Sequence, residues 1–281
     1  MSTFINDLNN NIEERWEDVN RLLVTAKSVE NTDKPLHDVL CRSAIMFISA
    51  HLESFVKDVA KAIINDLNNF SSFKSAPESM KKVYCKTYTN SNAEIPSNNK
   101  GEINKDAVQR TQMLLETLDS FDVKFVIEPF LINNSFGNNQ KNPSPNLISK
   151  IFINFGIKQP FKWLDNSIFN TIFEGTSASS KSITDNALMM KNHINDNTTS
   201  YPYKLDIKIA NIQEPSSVAS SAKLRSFWET FLDELMAKRH RIAHGSSFAE
   251  SLSVEALNDY KSAVTILERL LIIVLCYKVT N

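Results

Sequence analysis

The segment Lys238-Arg239-His240-Arg241-Ile242-Ala243-His244-Gly245 places three cations and two imidazoles within eight positions. Histidine titrates near neutrality, so it can take and give protons. Arginine is a permanent cation whose planar fork binds phosphate oxygens in pairs. These residue types suit proton transfer beside a phosphate group, with a guanidinium offsetting charge on the phosphoryl oxygens. Four residues separate Arg239 from His244. Such spacing also arises by chance, so context decides its worth. The plain alternative is a basic cluster that complements the dipole at a helix C-terminus.

Other chemistry is poorly supplied. His240 and His244 have the i, i+4 spacing of a zinc pair, but Arg239 and Arg241 flank them and no carboxylate is near in sequence. Neighbouring cations disfavour a further one, so neither metal nor cofactor is expected. There is no G-x-S-x-G elbow. Only five residues are glycine, where average usage would give roughly 20. They stand apart at 101, 137, 156, 175 and 245, which excludes the glycine-rich phosphate cradles of Rossmann, P-loop and kinase folds. Cys41, Cys85 and Cys276 form no C-x-x-C and read as reduced thiols of a cytoplasmic protein. The net charge of -1 argues against a general nucleic-acid coat, so any RNA contact must use a local basic patch.

The elements around the segment are helical. Phe4, Leu8, Ile12, Trp16, Val19, Leu22, Leu23 and Ala26 recur at i, i+3/i+4 and predict one helix from Thr3 to about Val29. A turn at 31–35 leads to a second, from about Leu36 to Leu67, antiparallel to the first. The middle is rich in Asn and Ser, with polar stretches at 89–106, 133–146 and 175–200. Between them lie shorter helical candidates at 74–88, 104–120, 122–132, 146–156 and 161–173. Tyr201, Tyr203, Leu205, Ile207 and Ile209 alternate with mostly polar residues, the one period-2 stretch, and predict a strand or extended arm. A helix from about Val218 carries Leu224, Phe227, Trp228, Phe231 and Leu235 and ends at the basic segment. Ser253 reads as the N-cap of a last helix, apolar nearly all round near its end. The longest apolar run, Leu270 to Tyr277, is well below the ~20 residues of a membrane span. Neither a membrane partner nor a secretory leader is expected. Trp16, Trp163 and Trp228 read as core or interface anchors, His51 as a satisfied core histidine, and His37 and His193 as surface residues.

At this point the sequence resembles a family. Arg239-His240-Arg241-Ile242-Ala243-His244-Gly245 is similar to the R-x4-6-H motif of HEPN-domain ribonucleases. Ala50-His51-Leu52-Glu53-Ser54-Phe55 resembles the early HEPN helix that carries an acidic residue near the site, and Ser253 to Leu257 resembles the start of the helix after the motif. The long middle, with Pro145-Asn146-Leu147-Ile148 and Phe155-Gly156, resembles the RiboL-PSP branch. The likeness is strongest over 215–280 and weakest in the middle.

The resemblance implies an all-α HEPN-like bundle in one domain, 1–281. Bundle helices come from 1–70 and 216–281, with an irregular helical insertion at about 71–215 and at most a minor β element. It implies a metal-independent endoribonuclease, a toxin or anti-phage effector, that cuts cellular RNA at a composite site between two protomers. His244 would be the general acid/base and Arg239 the phosphate ligand. His240 and Glu53 would orient them, and Lys238 and Arg241 would hold the RNA backbone. The implied partners are RNA, a second copy of the chain, and an antitoxin or other regulatory protein. A tyrosine that some HEPN toxins carry two residues after the motif histidine is Ser246 here, so that modification-based off-switch is not expected. The competing class is a non-catalytic helical module that binds RNA or protein.

Overall fold

The computed structural model describes residues 2–91, 105–117, 123–131, 143–173, 180–215, 225–244 and 252–281. These residues are helical or irregular, with no strand among them. The chain opens with α1 (Phe4–Asn10), α2 (Ile12–Arg15) and α3 (Glu17–Val29). One continuous helix was expected there. Asn11 and Trp16 instead leave helical geometry, with ψ near zero (2° and -2°), and divide it in three. Asn6 and Asn9, on α1, donate their side-chain amides to backbone carbonyls of Asn195 (2.8 Å) and Lys191 (3.1 Å). The first turns thus serve a distant helix, and the breaks let the apolar face keep meeting its partner.

The centre of the molecule is α4 (Lys34–Phe70). Asp33 caps it by accepting from the Leu36 N–H at 3.0 Å, and Pro35 sits in the first turn, where a missing N–H costs nothing. Its inner face, including Ile45, Ile48, Leu52, Phe55, Val59 and Ile63, is fully buried. Each such side chain contributes about 1.5–3 kcal/mol of transfer free energy. By length and composition α4 is apolar enough to cross a membrane. Here it packs against α1, α3, α10 (Phe227–Ala243) and α11 (Val254–Thr280). Asp66 on α4 accepts hydrogen bonds from the Phe4 N–H (2.7 Å), the Ile5 N–H (3.1 Å) and the Tyr203 hydroxyl (2.7 Å), which fixes the start of α1.

The middle adds α5 (Glu78–Ser91), α6 (Lys105–Thr117), α7 (Glu128–Leu131), α8 (Pro145–Ile153) and α9 (Ser180–Asn197). Phe125, Phe130, Phe155, Trp163 and Phe169 carry the core through it without a boundary, so bundle and insertion share one hydrophobic cluster. Three expectations change here. The helix expected at 122–132 shrinks to α7, and 161–173 forms two 3-10 segments, Pro160–Leu164 and Ile168–Phe173. The polar stretch 175–200 contains α9, whose buried face is Met190 and Ile194. The alternating stretch from Tyr201 has no regular structure over 203–206, with Asp206 extended, and then turns into a 3-10 helix, Ile207–Ala210, with Asp206 accepting from the Lys208 N–H at 2.9 Å. Gly156 ends α8's turn with φ +91°, and a Cβ there would come within 3.0 Å of Ser79 Oγ.

Trp16, Trp163 and Trp228 are buried, as expected. His37 is not a surface residue. It is 2% exposed, with Nε2 3.6 Å from Cys41 Sγ and Nδ1 3.1 Å from Asp38 Oδ1, because it lies one turn before Cys41 on the inner side of α4. His51 is half-buried rather than a satisfied core residue. Its ring packs 5.2 Å from Trp16 and 6.4 Å from Phe47, and its Nε2 is buried without a hydrogen bond. Burial, followed by the nearby Arg15, holds its pKa below the ordinary histidine value.

Candidate functional site

The basic segment is the last stretch of α10. Ser226 starts this helix with a reciprocal cap. Its Oγ accepts from the Glu229 N–H at 3.1 Å, and Glu229 Oε2 accepts from the Ser226 N–H at 2.9 Å. Trp228, Phe231, Leu232 and Leu235 bury one face of α10, and the Trp228 indole donates to Asn170 Oδ1 at 3.0 Å. This anchored face fixes the rotation of the helix, and so the direction of the residues that follow.

Lys238, Arg239 and Arg241 are half-buried; His240 and His244 are exposed. His244 is the C-cap, and its N–H donates to the His240 carbonyl at 3.0 Å. The two rings lie 4.2 Å apart, centroid to centroid, at 52°. Lys238 Nζ stands 5.9 Å from the Tyr260 ring centroid on α11, within cation–π range. At 100° per residue His240, Arg241 and His244 share one side of α10, whereas Arg239 lies about 140° round the axis from His244. The structure brings the two imidazoles together, and helical spacing sets Arg241 on their side of α10 and Arg239 on another. Glu53 is on α4, half-buried, and its Oε1 holds Lys57 Nζ at 2.7 Å. Gly245 and Ser246, and the residues 218–224 expected to begin this helix, lie outside the described residues.

Among the described residues no three His, Cys, Asp or Glu side chains converge as a metal site. A second group of charges escaped sequence reasoning. Arg15 pairs with Asp58 at 2.8 Å, and Lys191 with Glu13 at 2.9 Å, while buried Arg269 also reaches Glu13. Beside them Glu268 is 2% exposed, and burial pushes its carboxyl up to about 8 although Arg15 and Arg269 lie near. In sequence Glu268-Arg269 looked like the charged flank of an apolar run. The packing of α11 against α4, α9 and α3 makes the two residues interior.

The structure defines an all-α bundle with histidines and arginines at the exposed end of one helix. A family model described as RiboL-PSP-HEPN matches residues 10–175. The chain belongs to the RiboL-PSP-HEPN family. The match includes Glu53 and the irregular middle as far as residue 175 and stops before α10, so the family rests on residues other than Arg239 to Gly245. Comparison with curated proteins and with solved structures gives no match.

Proposed function

We propose that the chain is a metal-independent endoribonuclease whose active site forms at the C-terminal end of α10. The observation that carries this reading is the exposed His240–His244 pair among Lys238, Arg239 and Arg241, in a chain of a HEPN family. One imidazole takes the proton of the RNA 2′-hydroxyl as that oxygen bonds to phosphorus. A second imidazole gives a proton to the departing 5′-oxygen. The products are a 2′,3′-cyclic phosphate, which opens to a 3′-phosphate, and a 5′-hydroxyl. Arg239 faces away from its own His244, so a second protomer supplies the arrangement in which Arg239 of one chain and His244 of the other meet one phosphate. Lys238 and Arg241 hold the backbone on either side. Glu53 orients the site from α4. Such an enzyme acts in the cytoplasm as a toxin or anti-phage effector and needs a regulatory partner protein.

The test is cleavage of RNA in EDTA by wild type, Arg239→Ala and His244→Ala. Cleavage by wild type alone supports the reading. Cleavage that needs Mg²⁺, or that survives His244→Ala, overturns it. The rotation of Arg239 away from His244 favours a second reading, a helical module that binds RNA or protein without cutting. That reading expects salt-sensitive binding through Lys238, Arg239 and Arg241 and no product.

A further inference from the structure

One side of α10 carries aromatic rings from its first residue toward its basic end. Phe227 opens the helix and is 53% exposed, although its neighbour Trp228 is buried. Its ring stacks on Phe173, with centroids 6.1 Å apart at 20°. Phe173 meets Phe231 at 5.7 Å, and Phe231 stacks on Tyr260 of α11 at 5.6 Å and 26°. Lys238 Nζ then stands 5.9 Å from the Tyr260 centroid. Phe231 is the buried floor of this row, Phe173 and Tyr260 are half-buried, and Phe227 is open. Trp228 meets Phe173 edge-on at 4.9 Å and 87° while its indole bonds Asn170, so the row is fixed from below.

The row leads to the imidazoles. At 100° per residue Phe227, Phe231 and Lys238 lie within about 40° of one another around α10, and Lys238 is about 16 Å along the axis from Phe227. Arg241 and His244 follow Lys238 at steps of three residues, each turned about 60° further. Rings, two cations and a histidine therefore follow one path over the surface of α10. Flat rings beside cations suit a nucleic-acid strand, whose bases stack on the rings while its phosphates meet the cations. Glu234, exposed one turn before Lys238 on the same side, opposes phosphate. In the stretch before Lys238 the rings therefore face bases and not the backbone. A paired strand is a poorer occupant, because its bases already stack on one another. So is a protein segment, because one open ring and two half-buried ones fall short of the apolar core of a protein interface.

We propose that this row is a base-stacking subsite. Phe227 and Tyr260 hold unpaired bases of an RNA strand whose phosphates lie on Lys238 and Arg241, and this directs the strand to His244. That the strand is then cut rests on the ribonuclease reading; the stacking row itself does not.

The test is a fluorescence-anisotropy titration with two labelled probes. The first is a short 2′-O-methyl RNA without self-pairing, which has no free 2′-hydroxyl to attack and so stays intact. The second is the same backbone made abasic. Phe227→Leu and Tyr260→Leu keep an apolar side chain but remove the ring face. Each should weaken binding of the first probe by about tenfold and leave binding of the abasic backbone unchanged. Lys238→Met should weaken both and lower the salt dependence by about one counter-ion. Helical circular dichroism checks the fold. If Tyr260→Leu fails to fold, Phe227→Leu decides, because that side chain is more than half exposed. Wild-type affinity in Phe227→Leu, an equal loss on the abasic backbone, or no RNA binding by the wild type overturns the proposal. Cleavage of the unmodified RNA by the same proteins separates the two readings. A protein that binds through the row and cuts nothing overturns the ribonuclease alone. One that cuts sub-saturating RNA at the wild-type rate without either ring overturns the row alone.

Discussion

His240 and His244 stand one turn apart at the end of α10 with ring centroids 4.2 Å apart, and the N–H of the second donates to the carbonyl of the first. Two imidazoles this close share one solvent-facing patch. If the pair moves protons in RNA cleavage, each single alanine variant should lower the rate by about a hundredfold or more. The double variant should be little worse than the poorer single, because the residues act as one unit. Single-turnover cleavage of a short RNA measures this. Additive losses from His240→Ala and His244→Ala would mean separate roles.

Much of this arrangement was legible because it is local. Lys238 to His244 are neighbours in sequence, and the stripes of α4 and α11 repeat at helical spacing with Ser253 capping α11 as expected. What stayed hidden depends on long-range contact. In the Asn- and Ser-rich stretch that forms α9 the helical spacing of Ile183, Ala187, Met190 and Ile194 is masked by the polar residues around it. The helix is held by Asn6 and Asn9 of α1 and by the Lys191–Glu13 pair. The alternation after Tyr201 truly marks burial, since Tyr203 and Leu205 are inside, yet among the described residues no neighbouring strand makes it a sheet. The angle between Arg239 and His244 follows from their spacing on a helix, but which side of α10 faces solvent depends on the face that the Trp228 anchor buries, and spacing does not disclose that.

The Asp66 carboxylate holds the start of α1 through two backbone N–H groups and the Tyr203 hydroxyl. Asp66→Ala would leave the buried Ile5 N–H and the buried Tyr203 hydroxyl without an acceptor, a loss of about 3 kcal/mol. Tyr203→Phe removes one bond to a carboxylate and should cost about half as much. Urea denaturation compares them. Equal, small effects would show that α1 is held by its apolar face alone.

Cys41, Cys85 and Cys276 are free and buried. Burial raises all three thiols above the ordinary value, Cys85 to about 11. Since the thiolate is the nucleophile, the native protein should be inert to Ellman's reagent at neutral pH and release three equivalents once unfolded in guanidinium. Rapid labelling of one thiol in the native state would mark a local opening at its helix.

Glu268 gives a pH dependence with a definite sign. Burial raises its folded-state value from 4.5 to about 8, so between those limits the folded protein holds a proton that the unfolded chain has lost. Its contribution to stability is complete below about 4.5 and disappears as pH rises through about 8. Glutamine resembles the protonated form and cannot ionise. Glu268→Gln should therefore match wild type near pH 4.5 and become progressively more stable relative to it toward pH 8, by roughly 1 kcal/mol per pH unit. Taking the difference between the two proteins removes the opposing contributions of Glu13 and Asp58, whose salt bridges hold their carboxyls low and fail in acid. Urea midpoints across this range supply the measurement. A constant difference between variant and wild type would mean that Glu268 is already ionised in the fold, held by Arg15 and Arg269 against the cost of burial.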